Sequence, residues 1–261
     1  MESATSNDGG SQARAVLVAA GLALLGIAVG VVATIPVALA YSSLTSTPVD
    51  EISGVALLGI SLVSLQGLAF PLVAWAYVTR RGEGWSFVPA SLPSLGDVKY
   101  VVGGYVASFG GLVVISVLLT VFSVEAASNT AGETALQNPG IIPYLAVLQF
   151  LLVGPGEELL FRGVIQGSLR EHFGAWPAIL LASLMFAPIH ITALSGGVSA
   201  MAVTIGILFL PSIVFGYLYE KTNNIVVPAF THGLYNATLF GVTYLQTQVE
   251  PAQELVAFFP V

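Results

Sequence analysis

Long runs of apolar residues alternate with short polar connections along most of this chain. Each run approaches or exceeds the ~20 residues that an α-helix needs to cross the hydrocarbon core of a bilayer. The runs cover residues 15–40, 52–78, 100–122, 141–166, 176–194, 200–219 and 225–245. We therefore predict an all-α fold, a polytopic transmembrane helix bundle of about seven spans with a polar site inside the bundle.

Composition narrows the class of protein further. Of the 261 residues, 56% are hydrophobic and only 8% are charged, whereas a soluble domain carries about 25% charged residues. The net charge of −7 disfavours nucleic acid as a partner. The chain has no cysteine, which excludes disulfides, thiolate catalysis and thiolate metal ligands. The lipid bilayer is therefore the first partner that the sequence indicates.

The pattern divides the chain into four regions. Residues 1–12 are small and polar, which predicts a disordered cytoplasmic leader. Residues 13–140 form an amino-terminal membrane region of three helices. Residues 141–249 form a second helical region, which holds the unusual polar residues, and residues 250–261 remain as a short carboxyl-terminal tail.

Six of the seven basic residues lie before the first apolar run or in and next to alternate connections between the runs, and the seventh, Arg162, lies inside the fourth run. Those in or next to connections are Arg14, Arg80, Arg81, Lys99, Arg170 and Lys221. Because lysine and arginine are retained in cytoplasmic loops, these connections should all lie on the cytoplasmic side. We therefore predict a multi-pass protein of the cell membrane, with its amino terminus in the cytoplasm and its carboxyl terminus outside.

The fourth run contains three ionisable residues, Glu157, Glu158 and Arg162. An ionisable side chain at bilayer depth costs roughly 2.5 to 3.5 kcal/mol on insertion scales, so it needs a partner or a wet cavity. Glu158 and Arg162 are spaced i, i+4, which predicts an ion pair along one helix face. Such a pair could serve packing alone, but Glu157 points about 100° away and has no predicted partner.

The sequence Gly154-Pro155-Gly156 comes directly before the two glutamates. Proline lacks the backbone N–H that the helical ladder needs, and glycine weakens a helix. We therefore predict a break or kink in this helix at bilayer depth. Glu157 and Glu158 would then lie in the first turn of a restarted helix, where the helix dipole favours carboxylates.

Two of the three histidines also lie in apolar runs. His190 is near the end of the fifth run, and His232 is one helical turn before Asn236 in the seventh, so these two share a helix face. A single intramembrane histidine is more often a hydrogen-bonded packing residue. Together with an unpaired glutamate, however, the two histidines and Asn236 indicate a catalytic site inside the bundle.

The order and spacing of these residues resemble those of the CPBP (ABI) family of intramembrane proteases, which includes the type II CAAX prenyl endopeptidases. The resemblance covers residues 141–245 and would make 141–249 the catalytic region. Its motifs are Glu157-Glu158-x-x-x-Arg162, Phe186-x-x-x-His190 and His232-x-x-x-Asn236.

The resemblance implies an endopeptidase that acts on membrane-anchored or prenylated, CAAX-like proteins from a site open to the cytoplasm. It implies that Glu157 and His190 position and deprotonate a water molecule. It also implies that His232 and Asn236 stabilise the oxyanion of the tetrahedral intermediate, while Glu158 and its partner arginine support the site.

The sequence leaves two questions open, which are whether the site uses a metal and whether the protein is an enzyme. Glu157, His190 and His232 could supply three ligands to a zinc ion with water in the fourth position, although the zincin pattern is absent. We favour metal-free chemistry and keep zinc as the alternative. The polar cavity would also suit a non-proteolytic scaffold or immunity protein. A proton-coupled transporter is a third possibility, but the chain has no internal repeat that supports it.

Overall fold

The computed structural model describes residues 5–248. Within them the chain forms helices α1 to α8 and a two-stranded ribbon. The helices are α1 (Thr5–Thr45), α2 (Gly54–Arg80), α3 (Leu95–Val121), α4 (Thr130–Gln137), α5 (Pro139–Arg170), α6 (Ala175–Ala193), α7 (Val198–Thr222) and α8 (Val226–Gln248). The strands are β1 (Ser128–Asn129) and β2 (Leu194–Ser195).

The architecture confirms the predicted all-α polytopic bundle. Among the described residues, six helices are long and apolar enough to cross a membrane, namely α1, α2, α3, α5, α6 and α7. The seventh predicted span coincides with α8, which has the length of a span. Its polar residues, including His232 and Asn236, lower its mean hydropathy, so the count of seven spans stays a prediction.

Part of the predicted leader is helical in the structure, and the division of the chain into four regions stays a prediction. Helix α1 starts at Thr5 and continues without interruption through residues 5–12. Extending an existing helix costs far less than nucleating one, which accounts for helix in this small, polar stretch. Residues 1–4 and the predicted tail, 250–261, lie outside the described residues.

Ion pairs and the ribbon indicate which connections lie together at each end of the bundle. At one end, Arg81 pairs with Glu171 at 2.9 Å and Arg170 pairs with Glu220 at 3.0 Å. This end holds the basic connections that the sequence assigns to the cytoplasm. The ribbon lies in the connections without lysine or arginine. The alternation is therefore a property of the fold, while the side that faces the cytoplasm stays a prediction.

The ribbon joins the connection after α3 to the one after α6. Its register pairs Ser128 with Ser195 and Asn129 with Leu194, antiparallel. Glu133, on α4, accepts hydrogen bonds from the hydroxyls of Ser128 and Ser195, the latter at 2.7 Å. The Ser128 hydroxyl, followed by that of Ser195, holds the pKa of Glu133 below its usual value. The ribbon thereby anchors the chain directly after the segment that carries His190.

Buried apolar side chains hold the spans together, and two of their clusters include helices of the candidate site. The larger joins α1, α2, α5 and α6, and its centre is an edge-to-face contact of Phe70 with Phe161, whose ring centroids are 5.8 Å apart. The smaller joins α3, α7 and α8 around Phe215 and Tyr235. Burial of these side chains sets the positions of the three helices that supply the candidate site.

Candidate active site inside the bundle

Helix α5 remains helical through Gly154-Pro155-Gly156, so the predicted break does not occur. A five-residue α-helical segment, Gly154–Glu158, is flanked by wider π-helical turns over Gln149–Val153 and Leu159–Gln166. The π-helical turns change the hydrogen-bond pairing of the backbone on both sides of Pro155. The N–H group that proline lacks therefore does not interrupt the helix. Glu157 and Glu158 therefore lie in a continuous helix rather than at a new amino-terminal end.

Gly154 and Gly156 allow close contacts between backbones. A Cβ atom added to Gly156 would lie 2.1 Å from the carbonyl oxygen of Gln66 on α2, and one added to Gly154 would lie 2.4 Å from that of Ala229 on α8. Neither contact leaves room for a side chain. The two glycines therefore let α5 approach α2 and α8 directly at the level of the glutamates.

Arg162 and Glu158 form a fully buried ion pair, as their i, i+4 spacing predicts. Arg162 Nη1 lies 3.0 Å from Glu158 Oε1, and the side chains are 1% and 0% exposed. Arg162 Nη2 donates to the carbonyl oxygen and the hydroxyl of Ser212 on α7, at 3.0 and 2.9 Å. The guanidinium also lies over the ring of Phe186, 4.5 Å from its centroid. The buried cation is therefore both paired and hydrogen-bonded.

His232 connects the two glutamates. Its Nδ1 lies 2.8 Å from Glu158 Oε1, and its Nε2 lies 3.9 Å from Glu157 Oε2. The imidazole stacks on Phe215 with a centroid distance of 4.7 Å. Because an ionised carboxylate only accepts hydrogen bonds, Nδ1 donates to Glu158 and Nε2 is the nitrogen that faces Glu157. The sequence did not predict the contact between His232 and Glu158.

Glu157 is buried, with 3% of its surface exposed. Its Oε1 accepts a hydrogen bond from Gln66 Nε2 at 3.1 Å. Its Oε2 has no hydrogen-bond partner among the described residues. One carboxylate oxygen is therefore held by an amide, while the other is turned toward His232.

His190 and Asn236 lie beside this group rather than within it. His190 belongs to the 3₁₀-helical end of α6, where its Nδ1 lies 3.1 Å from the Phe186 carbonyl oxygen. Phe186 presents its ring to His190 and to His232, with centroids 4.8 and 6.0 Å away. Asn236 Nδ2 donates to Gln149 Oε1 at 3.0 Å. Within residues 5–248, no hydrogen bond or ion pair joins His190 to Glu157.

The structure thus brings together Glu157, Glu158, Arg162 and His232. Phe186 connects His190 to this group, whereas Asn236 is hydrogen-bonded to Gln149. Phe186 belongs to one of the sequence motifs, whereas sequence reasoning missed Gln149, Gln66 and Ser212. A usable signal was present for the glutamines, because a buried amide in an apolar run needs a partner just as a carboxylate does. Ser212 has no such signal, since serine is common in transmembrane helices.

The proposed zinc ligands do not fit a metal site in this arrangement. No group of three histidine, aspartate or glutamate side chains among residues 5–248 could hold a metal ion. The Nδ1 contacts of His232 with Glu158 and of His190 with a backbone carbonyl leave the Nε2 atom of each ring as the nitrogen that could ligate a metal.

Comparison with protein families connects this geometry to a known group. Residues 139–238 match the family model described as type II CAAX prenyl endopeptidase Rce1-like. Over this segment the chain is similar to the CPBP/Rce1 family. This Rce1-like segment contains all six predicted site residues, whereas Gln66 lies outside it. The match supports a likeness to CAAX-type intramembrane proteases over these residues.

A curated relative matches part of the same chain. The Bacillus subtilis (strain 168) protein YpbD, described as uncharacterized, is 40% identical over 96 residues. The match covers 37% of this chain and spans 43% of the length of YpbD. No solved structure matches the chain.

Proposed function

We propose that the protein is an intramembrane endopeptidase that hydrolyses peptide bonds of membrane-anchored or prenylated, CAAX-like proteins. The observation that carries this proposal is the Glu157 carboxylate, which is buried with one oxygen unpaired and 3.9 Å from His232 Nε2. A carboxylate with a free lone pair in a site shielded from bulk water can act as a general base. The Rce1-like segment supports the choice of peptide hydrolysis.

Glu157 Oε2 takes a proton from a water molecule as the water oxygen bonds to the carbonyl carbon of the substrate. The carbonyl π electrons move to its oxygen, which gives a tetrahedral oxyanion. When the intermediate collapses, the C–N bond breaks and Glu157 returns the proton to the departing amine. The carboxylate is regenerated, so atoms and charge balance over the cycle.

His232 and Asn236 are the proposed donors to the oxyanion. In its protonated form His232 donates from Nδ1 to Glu158, which leaves the Nε2 proton on the side of Glu157. Asn236 uses one amide hydrogen on Gln149 and keeps a second one. Donors held toward a developing oxyanion are worth about 2.7 to 4 kcal/mol each where they have been tested. The motif spacing, rather than a contact, supports a role for His190 in orienting the water.

The location inside a helix bundle favours substrates that are already in the membrane. A site between transmembrane helices is reached through apolar surroundings, which suit a peptide joined to a lipid or to its own membrane anchor. The description of the matching family supports prenylated CAAX-like proteins within that class. The basic connections support access from the cytoplasm.

The test compares the wild type with Glu157→Gln, each reconstituted in liposomes with membrane-anchored peptides that include prenylated ones. Mass spectrometry of the products should show cleavage by the wild type and a loss of about 10²- to 10⁴-fold in the variant. Glu171→Gln is the matched control, because it makes the same change in the ion pair with Arg81, away from the site. It should keep wild-type turnover.

Two results would contradict the proposal. Equal products from the wild type and Glu157→Gln would remove the carboxylate from the chemistry. An absence of products from folded wild type over a broad peptide set would favour a scaffold.

The zinc alternative is tested in the same assay. Because the described residues hold no metal cluster, we expect turnover to survive a strong chelator and exhaustive dialysis. Loss of turnover on chelation, with recovery on addition of zinc alone, would establish the metal mechanism instead.

A further inference from the structure

Gln66 donates a hydrogen bond to Glu157 from outside the Rce1-like segment. It lies on α2 in a π-helical turn, Val63–Ala69, and only 9% of its surface is exposed. Its Nε2 donates to Glu157 Oε1 at 3.1 Å across 91 residues of sequence. The amino-terminal helices therefore reach the reactive carboxylate directly.

The backbone that carries Gln66 is fixed against α5. Its carbonyl oxygen occupies the place where a side chain on Gly156 would begin, 2.1 Å from the position of a Cβ atom. Gly156, which directly precedes Glu157, thus contacts the backbone of Gln66, and the side chain of Gln66 donates to Glu157. Because the backbone of Gln66 is packed against α5 beside Glu157, its side chain has little freedom to move away from the carboxylate. This restriction is the condition for accurate positioning.

The polar contacts of Gln66 point to Glu157 alone. Among the described residues, Gln66 Oε1 has no hydrogen-bond partner, and Nε2 donates only to Glu157. Burying an amide whose carbonyl oxygen is unpaired costs free energy, and a leucine or methionine would avoid that cost. Packing of α2 against α5 therefore does not account for an amide at this position.

We propose that Gln66 is a positioning residue for Glu157, an inference that rests on the proposed function. Its N–H occupies Oε1 and fixes the rotation of the carboxylate. Oε2 is then the oxygen that faces His232 Nε2 and takes the proton from water. The catalytic site in this protein is consequently built from both regions of the chain, with α2 supplying a group that the motifs of the Rce1-like segment do not contain.

The first test is the kinetics of Gln66→Met, which keeps the size of the side chain and removes the donor. We expect kcat to fall about 10- to 100-fold, the range for loss of a residue that orients a reactive group. KM should change by less than about twofold, because the substrate itself is not contacted. An unchanged kcat for the folded variant would overturn the proposal.

Gln166→Met is the matched control. Gln166 is also a buried glutamine, on α5, and its Nε2 donates to the Gly216 carbonyl oxygen at 3.0 Å rather than to Glu157. Both variants lose one buried amide hydrogen bond, so a general effect on folding should appear in both. A fall in kcat confined to Gln66→Met supports positioning, whereas an equal fall in both would overturn it.

Non-additivity gives a readout that a purely structural role would not change. Glu157→Asp shortens the side chain, withdraws the carboxylate from the amide and should retain some turnover. In that background Gln66→Met should lower kcat by less than about threefold, since the contact is already lost. A full 10- to 100-fold further loss would show that Gln66 acts independently of Glu157.

A stability cycle separates this inference from the proposed function. Unfolding in detergent is measured for Gln66→Met, for Glu157→Leu and for the double variant, without any substrate. The shifts in midpoint should be clearly non-additive, because the two side chains share one hydrogen bond. Additive shifts would overturn the contact. If the shifts are non-additive but the protein cleaves no peptide, the proposed protease function and the positioning role of Gln66 are both contradicted. The contact between Gln66 and Glu157 would still stand.

Discussion

Helix α5 carries two arginine–glutamate pairs in opposite surroundings. Arg162 and Glu158 are 3.0 Å apart with side chains that are 1% and 0% exposed. Arg170, about two turns further along, lies at the same distance from Glu220 on α7, but these side chains are 37% and 25% exposed. The two pairs match in chemistry and distance and differ in their access to solvent.

Their difference in exposure changes what each pair contributes to stability. An exposed pair gains little, because water already solvates both charges. A buried pair must offset a desolvation cost of several kcal/mol per ion, and apolar residues of similar size would often be as stable. The Arg162 pair has Ser212 and His232 as additional partners. We infer that the charges are retained because Glu158 orients His232, rather than for stability.

The largest expected effect on stability follows removal of the buried cation. Arg162→Met leaves the Glu158 carboxylate in the bundle with only His232 as a polar partner. We expect the free energy of unfolding to fall by about 3 to 5 kcal/mol, the range for breaking one side of a buried pair. Thermal or denaturant unfolding in detergent would measure the loss, and cleavage should decline because His232 loses its fixed partner.

The double variant Glu158→Gln with Arg162→Met is the control for this prediction. It removes both charges of the pair, so neither is left in the bundle without its partner. It should therefore be more stable than Arg162→Met alone, although cleavage should stay low. A double variant as unstable as the sum of the two single ones would mean that packing, rather than charge, dominates the site.

Glu133 is intermediate between the buried and the exposed carboxylates. It is half-buried, and it accepts hydrogen bonds from hydroxyls instead of pairing with a cation. Its pKa is lowered, first by Ser128 and then by Ser195. Because the pKa of Glu133 in the folded state is below the usual value of 4.5, its carboxylate stabilises the fold at pH values above 4.5. That stability is lost as the pH falls through the folded value.

We therefore expect the wild type to unfold more easily at pH 3 than at pH 6, and Glu133→Gln to reduce this difference. At pH 6 the variant should lose on the order of 1 kcal/mol, because a neutral amide accepts hydrogen bonds more weakly than a carboxylate. Unfolding midpoints at both pH values provide the measurement. An identical pH dependence in the two proteins would show that the ribbon gains nothing from the charge of Glu133.

Much of the fold could be predicted because bilayer physics constrains it strongly. Apolar runs set the spans, and only polar interruptions such as His232 and Asn236 left the status of α8 open. The effect of Pro155 could not be predicted, because wider π-helical turns compensate for its missing N–H. That outcome depends on how closely Gly154 and Gly156 approach neighbouring helices, which is tertiary information.

The candidate site was predictable only for contacts within one helix. The i, i+4 spacing of Glu158 and Arg162 fixed their pairing before any tertiary structure was known. The contacts of His232 with Glu158, and of Gln66 with Glu157, span 74 and 91 residues. Helical periodicity says which side chains share a face, but it does not say which faces meet. The charged residues and their pairing within one helix could be found from the sequence, whereas their partners on other helices could not.

The smallest effect should follow loss of the exposed pair. Arg170→Gln removes the contact with Glu220 and a hydrogen bond from Arg170 Nη1 to the Phe173 carbonyl oxygen. Because exposed pairs contribute about 0.2 to 1 kcal/mol, the midpoint of unfolding in detergent should move by no more than a few degrees. The shift should shrink further in 1 M salt, where charges are screened within about 3 Å. A loss as large as that of Arg162→Met would mean that distance, rather than burial, sets the importance of these pairs, and the inference that burial marks the functional charges would fail.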